Sequence, residues 1–355
     1  MKTGRSLPEV LQELQRQNES KRDYISPASS LSMWEDGKTL SMRTPVSQEL
    51  FGTTDLFHRQ MGSALNIPAK YYDLMRSQKP SLLAENINAW LSDRDQSYMI
   101  RSMDYGNGRV ARAFLSDRYR RIDNMEVASA VSPLFAGQPD VEIVSTEVTE
   151  SKLYLKILNK RLEAEVVPGD VVQAGVVISN SEVGLGAVTV QPLIYRLVCT
   201  NGMICQDFGE RRAHVGRQTK GLEDFIVYQE DTKEAEDKAF MLRLRDATMA
   251  AIEETRFSQI VDKLQEATSA RIIGRIQDVV ELTGKTYGLN QGEQDDILTY
   301  LIQGGDLTMY GLSNAITRAS QDCDSYDRAT TLESLGWDVA TMAPAQWREI
   351  NNVSN

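Results

Sequence analysis

Two apolar runs, GDVVQAGVVIS at Gly169–Ser179 and AVTVQPLIYRLVC at Ala187–Cys199, constrain this 355-residue chain more than anything else in it. Valine and isoleucine occupy both parities of these runs, so neither face of the strands they form can be left to water. A sheet built on them has to be covered on both sides. Val141–Val148 and Leu153–Leu158 read as a second strand pair. Tyr98–Tyr105 and Arg109–Leu115 flank Gly106-Asn107-Gly108, where Asn-Gly between two strand-like runs is the chemistry of a tight hairpin turn.

Helical spacing brackets these strands. Leu7, Val10, Leu11 and Leu14 suggest a polar N-terminal helix, which Ser26-Pro27-Ala28-Ser29-Ser30 breaks. Leu56, Phe57, Met61 and Leu65 mark one helix, Pro68 opens a second and Pro80 a third, and Met125–Phe135 reads as a short fourth. Beyond Gly221 the pattern is helical throughout. Residues 234–267 look like one long amphipathic stretch with no proline or glycine to stop it. Further helices are expected at Arg271–Thr283, Glu293–Ile302, Leu312–Ser320 and Tyr326–Leu335, punctuated by Gly284, Gly288, Gly292, Gly304 and Gly305. The expected fold class is α+β: an antiparallel β-meander core packed with helices, followed by an acidic helical C-terminal subdomain. The expected divisions are residues 1–53 as an N-terminal arm and polar helix, 54–221 as the α+β core, and 222–355 as the helical subdomain.

Charge follows the same division. Residues 222–355 hold 24 Asp and Glu against 12 Lys and Arg, which accounts for almost all of the net charge of −11, while residues 1–221 are close to neutral. With 41% hydrophobic and 25% charged residues the chain has the composition of a folded protein. No run approaches the roughly 18 apolar residues of a membrane span, and nothing near Met1 resembles a signal peptide. Cys199, Cys205 and Cys323 are odd in number and not at zinc-ligand spacing, which fits free thiols in a reducing cytoplasm. Only His58 and His214 are present, so histidine-rich metal sites are excluded and catalysis leaves no clear mark. No catalytic residue, metal ligand or cofactor is assigned.

Two motifs yield to plainer readings. Gly106-Asn107-Gly108-Arg109-Val110-Ala111 spells a dinucleotide fingerprint, but strand-like sequence follows it where the pyrophosphate needs a helix N-terminus. Asp322–Asp327 has alternating carboxylates without the glycine and closing glutamate of a calcium loop, and reads as a helix cap.

The arginines gather between residues 101 and 121. Arg101, Arg109, Arg112, Arg118, Arg120 and Arg121 meet only Asp104 and Asp117 in that stretch and Asp123 just after it, giving a local excess of positive charge on an acidic protein. Lys152, Lys156, Lys160 and Arg161 on the next hairpin extend the expected groove. With Tyr119 to stack or position a base, these residues are the candidate contacts for single-stranded nucleic acid. The plain alternative is a set of surface ion pairs.

The same residues carry a family resemblance. Phe114-Leu115-Ser116-Asp117-Arg118-Tyr119-Arg120-Arg121-Ile122-Asp123-Asn124, with Leu153-Tyr154-Leu155-Lys156, Cys199-Thr200-Asn201-Gly202-Met203, Asn314–Arg318 and Ser325–Arg328, resembles the phage/plasmid-like proteins of domain of unknown function 932, over roughly residues 23–350. The resemblance implies a phage or plasmid setting beside DNA metabolism and no established reaction. In outline, a strand meander packed on helices with a basic hairpin is similar to single-strand annealing proteins, an analogy without a shared motif. The leading expectation is a non-enzymatic, homo-oligomeric protein that binds or anneals single strands in replication or recombination. The alternatives are a factor that engages a host protein through its acidic helical third, and a phosphoryl-transfer enzyme with a carboxylate-bound metal.

Overall fold

A computed structural model of the protein describes residues 1–135, 138–212 and 230–351. It contains two mixed layers of sheet and helix. The first sheet is formed by β1 (Lys21–Pro27), β2 (Leu31–Met33), β3 (Thr39–Arg43), β4 (Gln48–Thr53), β5 (Ser97–Asp104) and β6 (Arg109–Ser116), in the order β1-β5-β6-β4-β3-β2. Its neighbours are antiparallel except β4 and β6, which run parallel over Gly52↔Val110 and Thr53↔Ala111. Helices α2 (Asp55–Ala64), α3 (Ala69–Gln78) and α4 (Pro80–Ser92) close one face of it over Leu31, Leu40, Phe51, Ile100 and Phe114.

The segment expected to be an arm is therefore part of this sheet. α1 (Leu7–Ser20) is the polar helix, but residues 21–53 contribute four of the six strands. Apolar side chains at alternate positions, Leu31 and Met33, then Leu40 and Met42, are buried and hold these short strands in place.

The second sheet is the expected meander: β7 (Val141–Val148), β8 (Leu153–Val167), β9 (Asp170–Asn180), β10 (Val188–Arg196) and β11 (Asn201–Ile204) pair in sequence, all antiparallel, and β12 (Glu210–Arg212) also pairs with β10. Both faces are covered. Leu153, Leu155 and Ile157 pack under α1, α5 (Asn124–Phe135) and α6 (Glu230–Ala251), while the alternate residue Lys156 turns the other way. Val172, Ala174, Ile194 and Met203 share a core with α7 (Glu254–Ser269), α8 (Ile276–Tyr287), α9 (Gln291–Gly304), α10 (Met309–Ala319), α11 (Tyr326–Ala340) and α12 (Pro344–Asn351). The acidic helical third is thus fastened to the sheet by a common core. Among the described residues, no helix is long and apolar enough to cross a membrane.

The expected continuous helix over residues 234–267 breaks at Ile252-Glu253. The reason is tertiary. Phe240, Leu244 and Ala251 of α6 belong to the core over α1 and α5, whereas Phe257, Ile260 and Leu264 of α7 belong to the C-terminal helical core. One straight helix cannot present a single stripe to both.

Candidate nucleic-acid interface

The β5–β6 hairpin carries the first arginines. Pairing closes at Asp104↔Arg109, leaving Tyr105-Gly106-Asn107-Gly108 as a four-residue loop with Gly106 at φ +87° and Gly108 at φ +129°. These positive φ values need glycine, and the Asp104 carboxylate accepts the Gly106 N–H at 2.8 Å. Asp104 is therefore engaged by the loop itself. Farther along, the register slips between Arg101 and Ser102, so that Arg112 becomes the extra residue of a bulge.

Arg101 and Arg112 are buried, at 3% and 6% exposure. Arg101 donates from Nε to Asp23 Oδ1 (2.9 Å), from Nη2 to Asp123 Oδ1 (2.6 Å) and from Nη1 to the Glu182 carbonyl (2.7 Å). Burial opposes its charge, but Asp123, Asp23 and Glu182 outweigh that effect and hold its pKa above the ordinary arginine value. Burial likewise opposes the Asp123 carboxylate, and Arg101 and Lys21 overcome it, keeping that pKa below the usual range. Arg112 Nη1 donates to Glu182 Oε1 at 2.9 Å, while Glu182 Oε2 accepts the Asn124 backbone N–H at 3.2 Å. These two arginines were expected on the polyanion-binding surface. They instead form a sealed polar joint between the first sheet and the β9–β10 connection of the second.

The remaining expected contacts divide. Lys156 is fully buried, its Nζ 2.6 Å from Glu333 Oε2 of α11 and 4.7 Å from the centre of the Tyr326 ring. It cannot reach a ligand in solution, because α11 covers the face of β8 that it occupies. Tyr119 does not offer its ring for stacking: it packs with Met99, Leu115 and Val183, and its hydroxyl donates to the Ser181 carbonyl at 3.1 Å. Burial pushes that hydroxyl's pKa up. Lys152 is half-buried in the β7–β8 turn. Lys160 and Arg161 are exposed but stand 2.6 Å from Glu142 and 3.8 Å from Asp140, respectively. Arg120 lies against Glu236 and Asp237 of α6.

What stays open is a smaller set. Arg118 is exposed on the turn after β6 and has no ion-pair partner among the described residues. Arg121 is 58% exposed, with Nη1 at 3.3 Å from Asp23, an acid that already receives Arg101. Arg109 is half-buried and donates to the Ser20 carbonyl and to Ser102 Oγ, both at 3.2 Å. Two residues absent from the sequence-based set join them. Arg22 is exposed on β1, the edge strand, where its pairing partner is Ser102. Tyr105 is exposed at the hairpin tip, with the Arg16 guanidinium 5.9 Å from its ring. The β1–β5 register is what brings Arg22 beside the hairpin, and no strand was expected at Lys21–Pro27.

Of the two histidines, His58 is buried. Its Nδ1 lies 2.8 Å from the Tyr72 hydroxyl and its Nε2 lies 2.8 Å from Thr53 Oγ1. Burial lowers its pKa to about 4, and it ties α2 to α3 and β4 as a neutral ring. His214 lies outside the described residues. Among the described residues, no three His, Cys, Asp or Glu side chains come together as a metal-ligand set.

Comparison with known proteins adds a family. A family model described as Domain of unknown function (DUF932) matches residues 113–317, from within β6 to α10, which is more than half of the chain. No curated protein matches, and no solved structure does.

Proposed function

The chain belongs to the family of domain of unknown function 932, and from that premise we propose that it binds single-stranded nucleic acid along the open cations beside its edge strand β1. Arg118 and Arg121 are the principal phosphate contacts, Arg22 and Arg109 extend the track, and Tyr105 supplies a face on which a base can stack. The observation that carries this reading is local neutralisation. Asp23, the acid that Arg121 reaches, and Asp123 are already matched by the buried Arg101 and by Lys21, whose Nζ lies 2.5 Å from Asp123. The exposed guanidinium groups therefore keep an unbalanced positive field. Arg101 and Arg112 serve by holding the β9–β10 connection against the hairpin.

The setting we propose is phage or plasmid DNA metabolism, with the protein acting in the cytoplasm as an assembly of several copies. Free thiols at Cys199, Cys205 and Cys323 suit that compartment. The test is fluorescence anisotropy with labelled single- and double-stranded oligonucleotides over a salt series. Wild-type protein is expected to prefer the single strand and to weaken steeply with salt. Replacing Arg118 and Arg121 together by alanine should weaken binding at least tenfold at low salt and flatten the slope of log K against log salt by about 1.4, about 0.7 for each lost phosphate contact. Wild-type protein that ignores both oligonucleotides at low salt ends the proposal.

A further inference from the structure

We infer that α6 is a built-in competitor for the polyanion, holding Arg120 in a carboxylate clasp that a phosphate must displace. This rests on the reading of the Arg118–Arg121 turn as a nucleic-acid contact. Arg120 stands between Arg118 and Arg121 in the β6–α5 connection and, among the described residues, is the only one of the three held by α6. Its Nη1 donates to Glu236 Oε2 at 2.7 Å and its Nε to Asp237 Oδ1 at 2.9 Å, with Nη2 on the same Asp237 oxygen. A guanidinium with its fork filled by carboxylate oxygens makes the bonds it would otherwise make to a phosphodiester, so the two partners exclude each other.

The clasp is also placed to be reversible. The Arg120, Glu236 and Asp237 side chains are 24%, 46% and 51% exposed, so water reaches the pair and its strength is that of a surface contact. The sealed bonds of Arg101 and Arg112, by contrast, cannot be exchanged for a ligand without opening the fold. The helix itself is anchored independently: Phe240 and Leu244, three and seven residues beyond Asp237, are buried in the core over α1 and α5. Exchange at Arg120 therefore requires only side-chain movement. The excess of acid in the last third of the chain has, at this position, a specific target on the basic turn.

The experiment uses the full chain and a fluorescent single-stranded oligonucleotide. Glu236→Gln with Asp237→Asn should bind about three- to tenfold more tightly at low salt, and its slope of log K against log salt should steepen by about 0.7, the mark of one added phosphate contact. Asp295→Asn with Asp296→Asn on α9 removes the same charge elsewhere and should leave the slope unchanged. Adding Arg120→Ala to the α6 pair should abolish the gain. An unchanged thermal melting curve for each variant checks that the fold is intact, as the Phe240 and Leu244 anchors require. If wild-type protein binds and the α6 pair binds no better, or if the gain survives loss of Arg120, the clasp is overturned while the binding reading stands. If wild-type protein and every variant fail to bind, the binding reading falls and the clasp falls with it.

Discussion

Arg101 and Arg121 both reach Asp23, yet one is sealed between two carboxylates and a main-chain carbonyl and the other stands mostly in water. The difference follows from their positions in the sheet. Arg101 lies in the middle of β5, flanked by β1 and β6, so its side chain has to be paired to be buried at all. Arg121 lies in a turn, where water provides the solvation. Such a joint has a predictable cost when halved. Arg101→Met should lower the unfolding free energy by about 3 to 5 kcal/mol, because Asp23 and Asp123 would lose their buried partner. Chemical denaturation should read this as a drop in midpoint with little change in slope. A loss below about 1 kcal/mol would mean that the joint is solvated and is not the tie between the sheets.

Glycine and helix geometry act at the level of the element. Gly288 ends α8 and Gly305 ends α9, each in the left-handed region at φ +67° and +69°. This is the separating role expected of them, whereas Gly284 and Gly292 lie within α8 and α9 and Gly304 is the last residue of α9. Nothing lies within 4 Å of a Cβ added at Gly288, so a substitution there meets backbone strain alone. Gly288→Ala should cost about 1 to 2 kcal/mol, measured by urea denaturation; an unchanged midpoint would argue against the left-handed cap. The break between α6 and α7 has no such local marker. Ile252 and Glu253 are ordinary helix residues, and the chain turns there because its two apolar stripes serve different cores.

For the molecule as a whole, the shared core decides what can stand alone. Phe257, Leu264, Leu312 and Trp337 pack in one cluster with Val172, Ala174, Ile194 and Met203 of the second sheet. Expressed by themselves, residues 222–355 would expose the sheet-facing side of that cluster to water. The fragment should melt without a cooperative transition and bind a hydrophobic dye, whereas the full chain should melt cooperatively. A sharp, reversible transition in the fragment would show that the helices form their own core.

Much of the fold was legible because it is written in local periodicity. Val171 to Val177 and Val188 to Ile194 announce strands buried on two faces, and the β-meander follows from their order. Strands β1 to β4 were missed because they are short and apolar alternation spans only Leu31/Met33 in β2 and Leu40/Met42 in β3. The site was less legible. Counting charge along the sequence found the arginines but treated them as one surface. Arg101 is neutralised by Asp23, which lies 78 residues away, and Arg112 by Glu182, which lies 70 away. The sequence by itself determined the class of fold and the presence of a positive excess near residue 110. Only the tertiary structure decided which cations remain available, because charge is cancelled by neighbours in space, and pairing across strands and helices brings those neighbours from distant parts of the chain.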